Sequence, residues 1–108
     1  MAQTFKNARA SLGSTATDVY TCPAGTTAMV IGCQVANVDG SSRTVQLWWT
    51  DSSASNAITY LGYNVTIPVN SAYEPISGKV ILEAGDKVVG LGSTANSLHV
   101  SLSILEIN

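Results

Sequence analysis

The chain has 108 residues with a formal net charge of −2, and only 11% of them are charged, against about 25% in an ordinary soluble domain. The five basic residues are scattered, which argues against nucleic-acid binding, and no apolar stretch approaches the ~20 residues of a membrane span. A chain of this length is expected to form a single domain, residues 1–108.

Alternation of apolar and polar residues, interrupted by turn sequences about every 8–12 residues, predicts a chain made of β-strands. The first strand could instead be an N-terminal arm within residues 1–12. We expect an all-β, single-domain antiparallel β-sandwich, jelly-roll-like, with about eight strands. In chain order the predicted strands are Thr4–Leu12, Asp18–Cys22, Thr27–Val38, Arg43–Thr50, Ala57–Ile67, Lys79–Glu83, Lys87–Leu91 and Leu98–Ile107, with Tyr73–Ile76 leading into the last three.

Two features of the turns predict which strands pair. Asp39-Gly40 is a strong hairpin signal between the strands on either side of it. The last three strands, joined by Ala84-Gly85-Asp86 and by residues 92–97, are expected to form one ribbon that ends in a hairpin. The final strand has the longest alternation in the chain, and its apolar face is expected to lie against the core.

The same alternation predicts which side chains are buried. On Thr27–Val38, the residues Met29, Ile31 and Val35 are assigned to one face, and on Ala57–Ile67 the residue Tyr63 is grouped with Leu61 and Val65. The expected core comprises Met29, Ile31, Val35, Val45, Leu47, Trp49, Leu61, Val65, Val80, Leu82, Val88, Leu98, Val100, Leu102 and Ile104.

The two cysteines, Cys22 and Cys33, are expected to be free thiols. If Pro23-Ala24-Gly25 closes a tight hairpin, Cys22 faces a residue near Met29, several positions short of Cys33. The N-terminal sequence also lacks the apolar core of a signal peptide, so an oxidising compartment is not indicated.

The sequence contains no motif typical of catalysis, and no enzyme activity, cofactor or metal is expected. The one histidine, His99, lies on the serine-bearing face of the last strand with no evident triad partner. Glu74 and Glu83 are the best available carboxylate pair for a glycosidase, but a domain this small offers little cleft. The acidic residues are spread along the chain, whereas a calcium loop would cluster them.

The aromatic residues indicate an interaction surface. Trp48 points away from the core if Trp49 points inward, and Tyr60 points outward with Ile58. Such residues could form a subunit interface or a platform for stacking sugars, or they could be core residues between two covered faces. Phe5 and Arg9, near the N-terminus, could extend a contact onto a neighbour.

The run YTCPAGTTAMVIGCQVANVD, the later SGKVILEAGDKVVGL and the closing ILEI resemble small virion structural proteins, head decoration or cement-like, of marine tailed bacteriophages. The resemblance extends from Tyr20 to Ile107 and is carried by structural turns, and no catalytic residues come with it. The turn Leu82-x-x-Gly85-Asp86 also resembles that of trimeric jelly-roll modules, including fibre tips.

What the resemblance implies is a non-enzymatic capsid decoration protein that stabilises the phage head. Its partners would be the major capsid protein or other virion proteins, and copies of itself, with a trimer favoured. It would be made in the bacterial host cytoplasm and located in the virion. The alternative is a tail, neck or fibre component with a receptor- or carbohydrate-binding role, because such components share these modules.

Overall fold

The structure is a computed structural model that describes residues 2–76 and 78–108, and it consists of nine strands and one short 3-10 helix. The all-β prediction is confirmed, and each predicted strand boundary lies within one residue of the observed one, except in β6. The part of the chain described includes no helix long and apolar enough to cross a membrane. The strands are β1 (Gln3–Leu12), β2 (Thr17–Thr21), β3 (Thr27–Asn37), β4 (Arg43–Asp51), β5 (Ala57–Ile67), β6 (Ala72–Tyr73), β7 (Val80–Leu82), β8 (Lys87–Gly92) and β9 (Leu98–Ile107), and the helix is Ser52–Ala54.

The strands form two antiparallel sheets that pack face to face. The larger sheet has the order β1-β9-β3-β6, with β7 also paired to β3, and the smaller sheet has the order β2-β8-β4-β5. Each sheet therefore takes strands from both ends of the chain, which is the strand order of a jelly roll. The predicted antiparallel β-sandwich is thus confirmed, with nine strands because two short segments, β6 and β7, share one neighbour.

The predicted local pairings are wrong in two places. The turn at Asp39-Gly40 connects β3 of the larger sheet with β4 of the smaller one, so it does not close a hairpin. The last three strands do not form a ribbon either, since β8 belongs to the smaller sheet while β7 and β9 belong to the larger. Turn residues allow a reversal of the chain, but a reversal across the sandwich uses the same residue types as a reversal within a sheet.

The core lies between the sheets and is built from the inward faces of the strands. On β9 the alternation is complete, because Leu98, Val100, Leu102 and Ile104 are all buried and the residues between them are exposed or half-buried. Of the other predicted core residues, those confirmed as buried are Val35, Val45, Leu47, Leu82 and Val88.

The face assigned to the first part of β3 is wrong. The register with β9 shifts between Val30 and Gly32, which marks a β-bulge. A bulge adds one residue to one strand and so exchanges the two faces beyond it. As a result Val30 is buried, Met29 is half-buried and Ile31 is 39% exposed.

Four further residues of the expected core lie at its margin. They are half-buried but pack against the buried cluster, so their inward direction is correct and their depth was overestimated. These residues are Trp49, Leu61, Val65 and Val80.

Two glycines of β8 allow the sheets to approach closely. A Cβ atom added to Gly90 would lie 2.9 Å from Cδ1 of Leu47 and 3.1 Å from Cδ1 of Leu12. A Cβ atom on Gly92 would lie 2.9 Å from Cδ1 of Leu98. These leucines therefore occupy the space that side chains on β8 would need, which explains why an otherwise apolar strand contains glycine.

Both cysteines are buried free thiols, as expected. The predicted hairpin at Pro23-Ala24-Gly25, however, does not form. The turn after Cys22 crosses from the smaller sheet to the larger one, and the Cys22 backbone is hydrogen bonded to Gly85 and Asp86 instead of to β3. Burial raises the pKa of the Cys33 thiol to about 12, and burial is also the main reason why the pKa of Cys22 is raised.

Replacement of Leu102 by alanine should lower the free energy of unfolding by about 2–5 kcal/mol, because this fully buried side chain would leave a cavity. Urea unfolding followed by tryptophan fluorescence measures the change. Ser103→Ala on the exposed face of β9 is the control, and its effect should stay within about 0.5 kcal/mol. Equal losses in the two variants would contradict the assigned faces.

The thiols should react slowly with a thiol reagent in the native protein, because the thiolate is the reactive form and burial disfavours it. After denaturation without reductant, both Cys22 and Cys33 should react at once. Mass spectrometry after alkylation counts the modified thiols. A denatured chain that takes up no alkyl group would reveal a disulfide and contradict the structure.

Candidate interaction surfaces

The residues considered for catalysis are not assembled into a site. His99 lies on the outer face of β9 between Ser11 and Ala36 in the sheet register, and neither of these neighbours supplies the carboxylate that a triad requires. Glu74 follows the pair Tyr73–Val35, whereas Glu83 follows the pair Leu82–Ala28. The two carboxylates therefore lie about seven residues apart along β3, roughly 23 Å at the rise of a strand, and cannot act on one bond.

The acidic residues are less dispersed in space than in the sequence. Carboxylate oxygens of Asp51, Glu83 and Asp86 lie within 4.8 Å of one another where β4, β7 and β8 end or begin. Asp51 accepts a hydrogen bond from the backbone N–H of Ser53 and thereby caps the 3-10 helix. The expectation that the acids are spread out fails here, because residues distant in sequence meet at one end of the sandwich.

Asp86 is the buried member of this group, and its carboxylate is fully used by the turn. Oδ2 accepts the backbone N–H of Glu83 at 2.8 Å, while Oδ1 accepts the backbone N–H of Ser52 at 2.9 Å and its hydroxyl at 3.0 Å. The two backbone N–H groups are partly buried, and the carboxylate supplies their acceptor in this turn. Asp86 therefore holds the connection after β4 against the turn between β7 and β8.

A second buried carboxylate, Glu106, closes the same end of the core. It accepts a hydrogen bond from the phenol of Tyr20 and forms an ion pair with Lys6, whose Nζ lies 3.4 Å away. Burial and this carboxylate raise the pKa of the Tyr20 phenol well above its usual value. The ion pair directs Lys6 toward the interior face of β1.

Trp48, Ile58, Tyr60 and Tyr63 form an apolar area on the outer face of the smaller sheet, which we call the aromatic surface. Trp48 is opposite Val89 on one side and Tyr60 on the other, and it is separate from the core cluster. Its outward direction is therefore as predicted, although its neighbours leave only 8% of it exposed. Ile58, Tyr60 and Tyr63 are exposed around it.

The alternation of residues predicts the wrong face for Tyr63, which belongs to the aromatic surface. Residues three apart point to opposite faces of a regular strand, so Tyr63 was grouped with the interior residues. The register of β5 against β4 shifts twice between Tyr60 and Val65, and Asn64 has a left-handed backbone with φ of 51°. These irregularities bring the Tyr60 and Tyr63 rings to one face, with centroids 4.7 Å apart.

The ring geometry is poorly suited to stacking a sugar. Tyr60 meets Tyr63 at an interplanar angle of 76° and meets Trp48 at 64°, so the rings pack edge to face. A stacking platform would present ring faces in a common plane. The three rings instead form an uneven apolar surface, of the kind found at the centre of a protein–protein interface.

The outer face of the larger sheet carries a second apolar area. Phe5, Leu105, Met29 and Ile81 follow one another in register across β1, β9, β3 and β7. Phe5 is 76% exposed and Ile81 is 50% exposed. Arg9 lies on the same face of β1, beside a groove that it lines with Ser11, His99 and Ser101. Phe5 and Arg9 are predicted from the sequence as contact residues. The residues that extend this area are not, because only the pairing of strands brings Leu105, Met29 and Ile81 together with Phe5.

Comparison with known proteins identifies the fold but no family. The sequence matches no family model and no curated protein. A protein in the acidic stable capsid structure of Helicobacter pylori bacteriophage KHP30 aligns with a TM-score of 0.59 and 15% identity over 100% of this chain and 94% of that chain. A protein of Bacillus endospore appendages, a novel family of disulfide-linked pili, aligns with a TM-score of 0.58 and 12% identity over 97% and 84%.

A third similar structure is that of infectious bursal disease virus, Gx strain. It aligns with a TM-score of 0.57 and 6% identity, and the alignment covers 98% of this chain but 30% of the viral chain. At such low identities these similarities establish a shared fold and nothing finer. The jelly-roll architecture is therefore common to this chain and to proteins of a phage capsid, a pilus and a virus.

Asp86→Ala should lower the free energy of unfolding by about 1.5–3 kcal/mol, because it removes the buried carboxylate that accepts the partly buried backbone N–H groups of Ser52 and Glu83. Thermal and urea unfolding measure the loss. Glu83→Ala is the matched control, since it removes an exposed carboxylate from the same group and should change stability by no more than about 0.5 kcal/mol. A larger loss in the control would mean that the exposed carboxylate has a structural role of its own.

Proposed function

We propose that this protein is a non-enzymatic structural subunit of a bacteriophage virion, acting as a capsid decoration or cement protein on the assembled head. The observation that carries the proposal is the position of the exposed apolar residues, which lie on the outer faces of both sheets around Tyr60 and around Phe5. Large apolar areas on the outside of a small domain usually mark protein contacts. The resemblance in sequence and the fold shared with a phage capsid protein support the assignment.

The aromatic surface is the proposed contact with the major capsid protein. Trp48 forms its floor, and Ile58, Tyr60 and Tyr63 stand around it. Aromatic residues are enriched and charged residues depleted at the centres of protein interfaces. The low charge of the chain, 11% of residues, agrees with a surface that is largely covered in the assembled particle.

The physical task would be to hold neighbouring capsid subunits together across the seams between them. A specific contact of this kind buries ~1,200–2,000 Å² in total. A subunit that binds only the assembled shell stabilises that shell by mass action, and symmetry repeats the effect at every equivalent site. The site would be on the virion, after synthesis in the cytoplasm of the bacterial host.

Self-association is part of the proposal, with Phe5 and Arg9 on the larger sheet available for contacts between copies. The trimer implied by the resemblance to trimeric jelly rolls stays a prediction. Light scattering on the purified protein tests it, and a mass that is a multiple of three chains is the expected result.

Particles stripped of this protein should lose density from the outside of the head and lose resistance to heat. Adding back the purified protein should restore both, because the contact is rebuilt at every vacant site. Electron microscopy and the temperature of genome release measure the two effects.

Two variants test whether the aromatic surface makes the contact. The double substitution Ile58→Ser with Tyr60→Ser should abolish rebinding, because it removes two of the three exposed side chains around Trp48. Thr66→Ser, also exposed on β5, is the control and should rebind normally. Density lost from the tail or neck, with heads unchanged, would replace the decoration role with the tail, neck or fibre alternative.

A further inference from the structure

The strand β1 is an edge strand, and no strand within residues 2–76 and 78–108 pairs with its other side. It pairs with β9 and lies at the end of the larger sheet. The backbones of Ala2 and Asn108 exchange two hydrogen bonds, with N···O distances of 2.8 and 3.0 Å, which fixes the phase of the ladder. In an antiparallel pair such residues alternate with residues whose backbone groups point away from the partner.

The outward-pointing backbone groups on β1 follow from this phase. Even-numbered residues bond to β9, so odd-numbered residues direct their N–H and C=O groups away from the sheet. These residues, which we call the edge residues, are Gln3, Phe5, Asn7, Arg9 and Ser11. Their side chains lie on the outer face of the sheet, on the opposite side of the strand from Ala8, Ala10 and Leu12, which pack on the core.

This edge lacks two of the features that usually protect a free edge from pairing, a bulge and a proline. The register with β9 is continuous from Gln3 to Leu12, so β1 has no bulge, and it contains no proline. The strand does carry Lys6, whose side chain is 52% exposed and is ion-paired with Glu106. By contrast, β5, which is one of the two edge strands of the smaller sheet, is interrupted by two register shifts and by the left-handed Asn64. A long edge without a bulge or a proline is a template for adding another strand.

We propose that β1 pairs with β1 of a second copy of this chain, antiparallel, about a two-fold axis at Asn7. The edge residues are symmetric about Asn7, so every one of them finds an edge residue opposite. Asn7 lies opposite Asn7 of the second copy, Phe5 opposite Arg9, and Gln3 opposite Ser11. These five pairs can exchange about ten backbone hydrogen bonds in a single continuous sheet.

The side chains favour this register over its neighbours. Shifting the two-fold axis from Asn7 to Lys6 places Lys6 opposite Lys6 of the second copy. Like charges directly opposite each other are unfavourable. Shifting the axis to Ala8 leaves four of the five pairs. Shifting it to Arg9 places Arg9 opposite Arg9 of the second copy. In the proposed register Lys6 faces Ala8 of the second copy.

The proposed register also gives two exposed side chains a partner. Within the described residues, the guanidinium of Arg9 forms no ion pair and no side-chain hydrogen bond. The Phe5 side chain is 76% exposed. Across a pair of strands each guanidinium can lie against the ring of the opposite Phe5, a cation–π contact that the two-fold axis repeats. The interface is isologous, so it closes after two copies and does not extend into a fibre.

This contact does not use the aromatic surface that is proposed to bind the capsid. The aromatic surface belongs to the other sheet and stays free in the pair. The edge contact gives a dimer by itself, and it would join two trimers if the predicted trimer forms.

Proline and alanine at one position provide the first test. Asn7→Pro removes an N–H that points away from β9, so it should leave the fold intact, block strand addition and halve the mass measured by light scattering. Asn7→Ala keeps the N–H and should keep the full mass. Circular dichroism and melting temperature verify that both variants are folded. A folded Asn7→Pro variant with unchanged mass overturns the proposal.

Hydrogen exchange tests the pairing without a substitution. The amides of Phe5, Asn7 and Arg9 should become protected as protein concentration rises, while outward-pointing amides on β5 should not change. Residue-resolved exchange measured by NMR reports both sets. Fast exchange of the three β1 amides at all concentrations overturns the proposal even if Asn7→Pro fails to fold.

Cysteine cross-linking tests the register. Asn7→Cys should form a disulfide between two copies under mild oxidation, because paired residues have Cα atoms about 5.5 Å apart, within the range of a disulfide. Ser11→Cys should not, because it faces Gln3 of the second copy. Cys22 and Cys33 are buried and do not compete. Equal cross-linking of the two variants, or none at Asn7→Cys, contradicts the register.

Discussion

The central position of β9 is the constraint on which the rest of the structure depends. This strand pairs with β1 on one side and with β3 on the other, and its inner face contributes Leu98, Val100 and Leu102 to the core. The larger sheet therefore cannot form until the last strand of the chain meets the first. Because such contacts join distant parts of the sequence, the entropy of closing long loops is lost before the core is gained, and the fold is expected to form slowly for its size.

Because the chain crosses from one sheet to the other several times, the fold depends on the turns that make these crossings. Two buried polar side chains stabilise such turns. Where β3 leads to β4, the amide of Asn37 donates to the carbonyls of Ser41 and Ile67, and its oxygen accepts the N–H of Asp39. Where β7 leads to β8, Asp86 does the equivalent work at the other end of the sandwich. A chain that leaves a sheet loses its ladder partners, and these side chains replace them.

The strands could be predicted from the sequence, and their partners could not. Alternation is a local property, so it located β9 and the directions of Trp48 and Tyr60 correctly. A bulge is also local but reverses the faces beyond it, and for this reason Ile31 and Tyr63 were assigned to the interior. Asn64 was the available signal near Tyr63, since asparagine tolerates the left-handed backbone that a bulge requires. Pairing of distant strands left no local signal, so the acidic group around Asp86 and the apolar run from Phe5 could not be foreseen.

The unusual surface composition has a physical explanation if copies of this chain meet one another or a repeating shell. Identical surfaces brought together by symmetry place like charges close to each other, which is unfavourable, whereas hydroxyl groups can both donate and accept hydrogen bonds. The chain has 13 serines and 11 threonines but 12 charged residues in all. Lys6 is neutralised from within by Glu106, and Arg9 is the cation that the two-fold pairing would place against an aromatic ring. Contacts of this kind can be weak singly and still hold an array together, because each contact raises the effective concentration for the next.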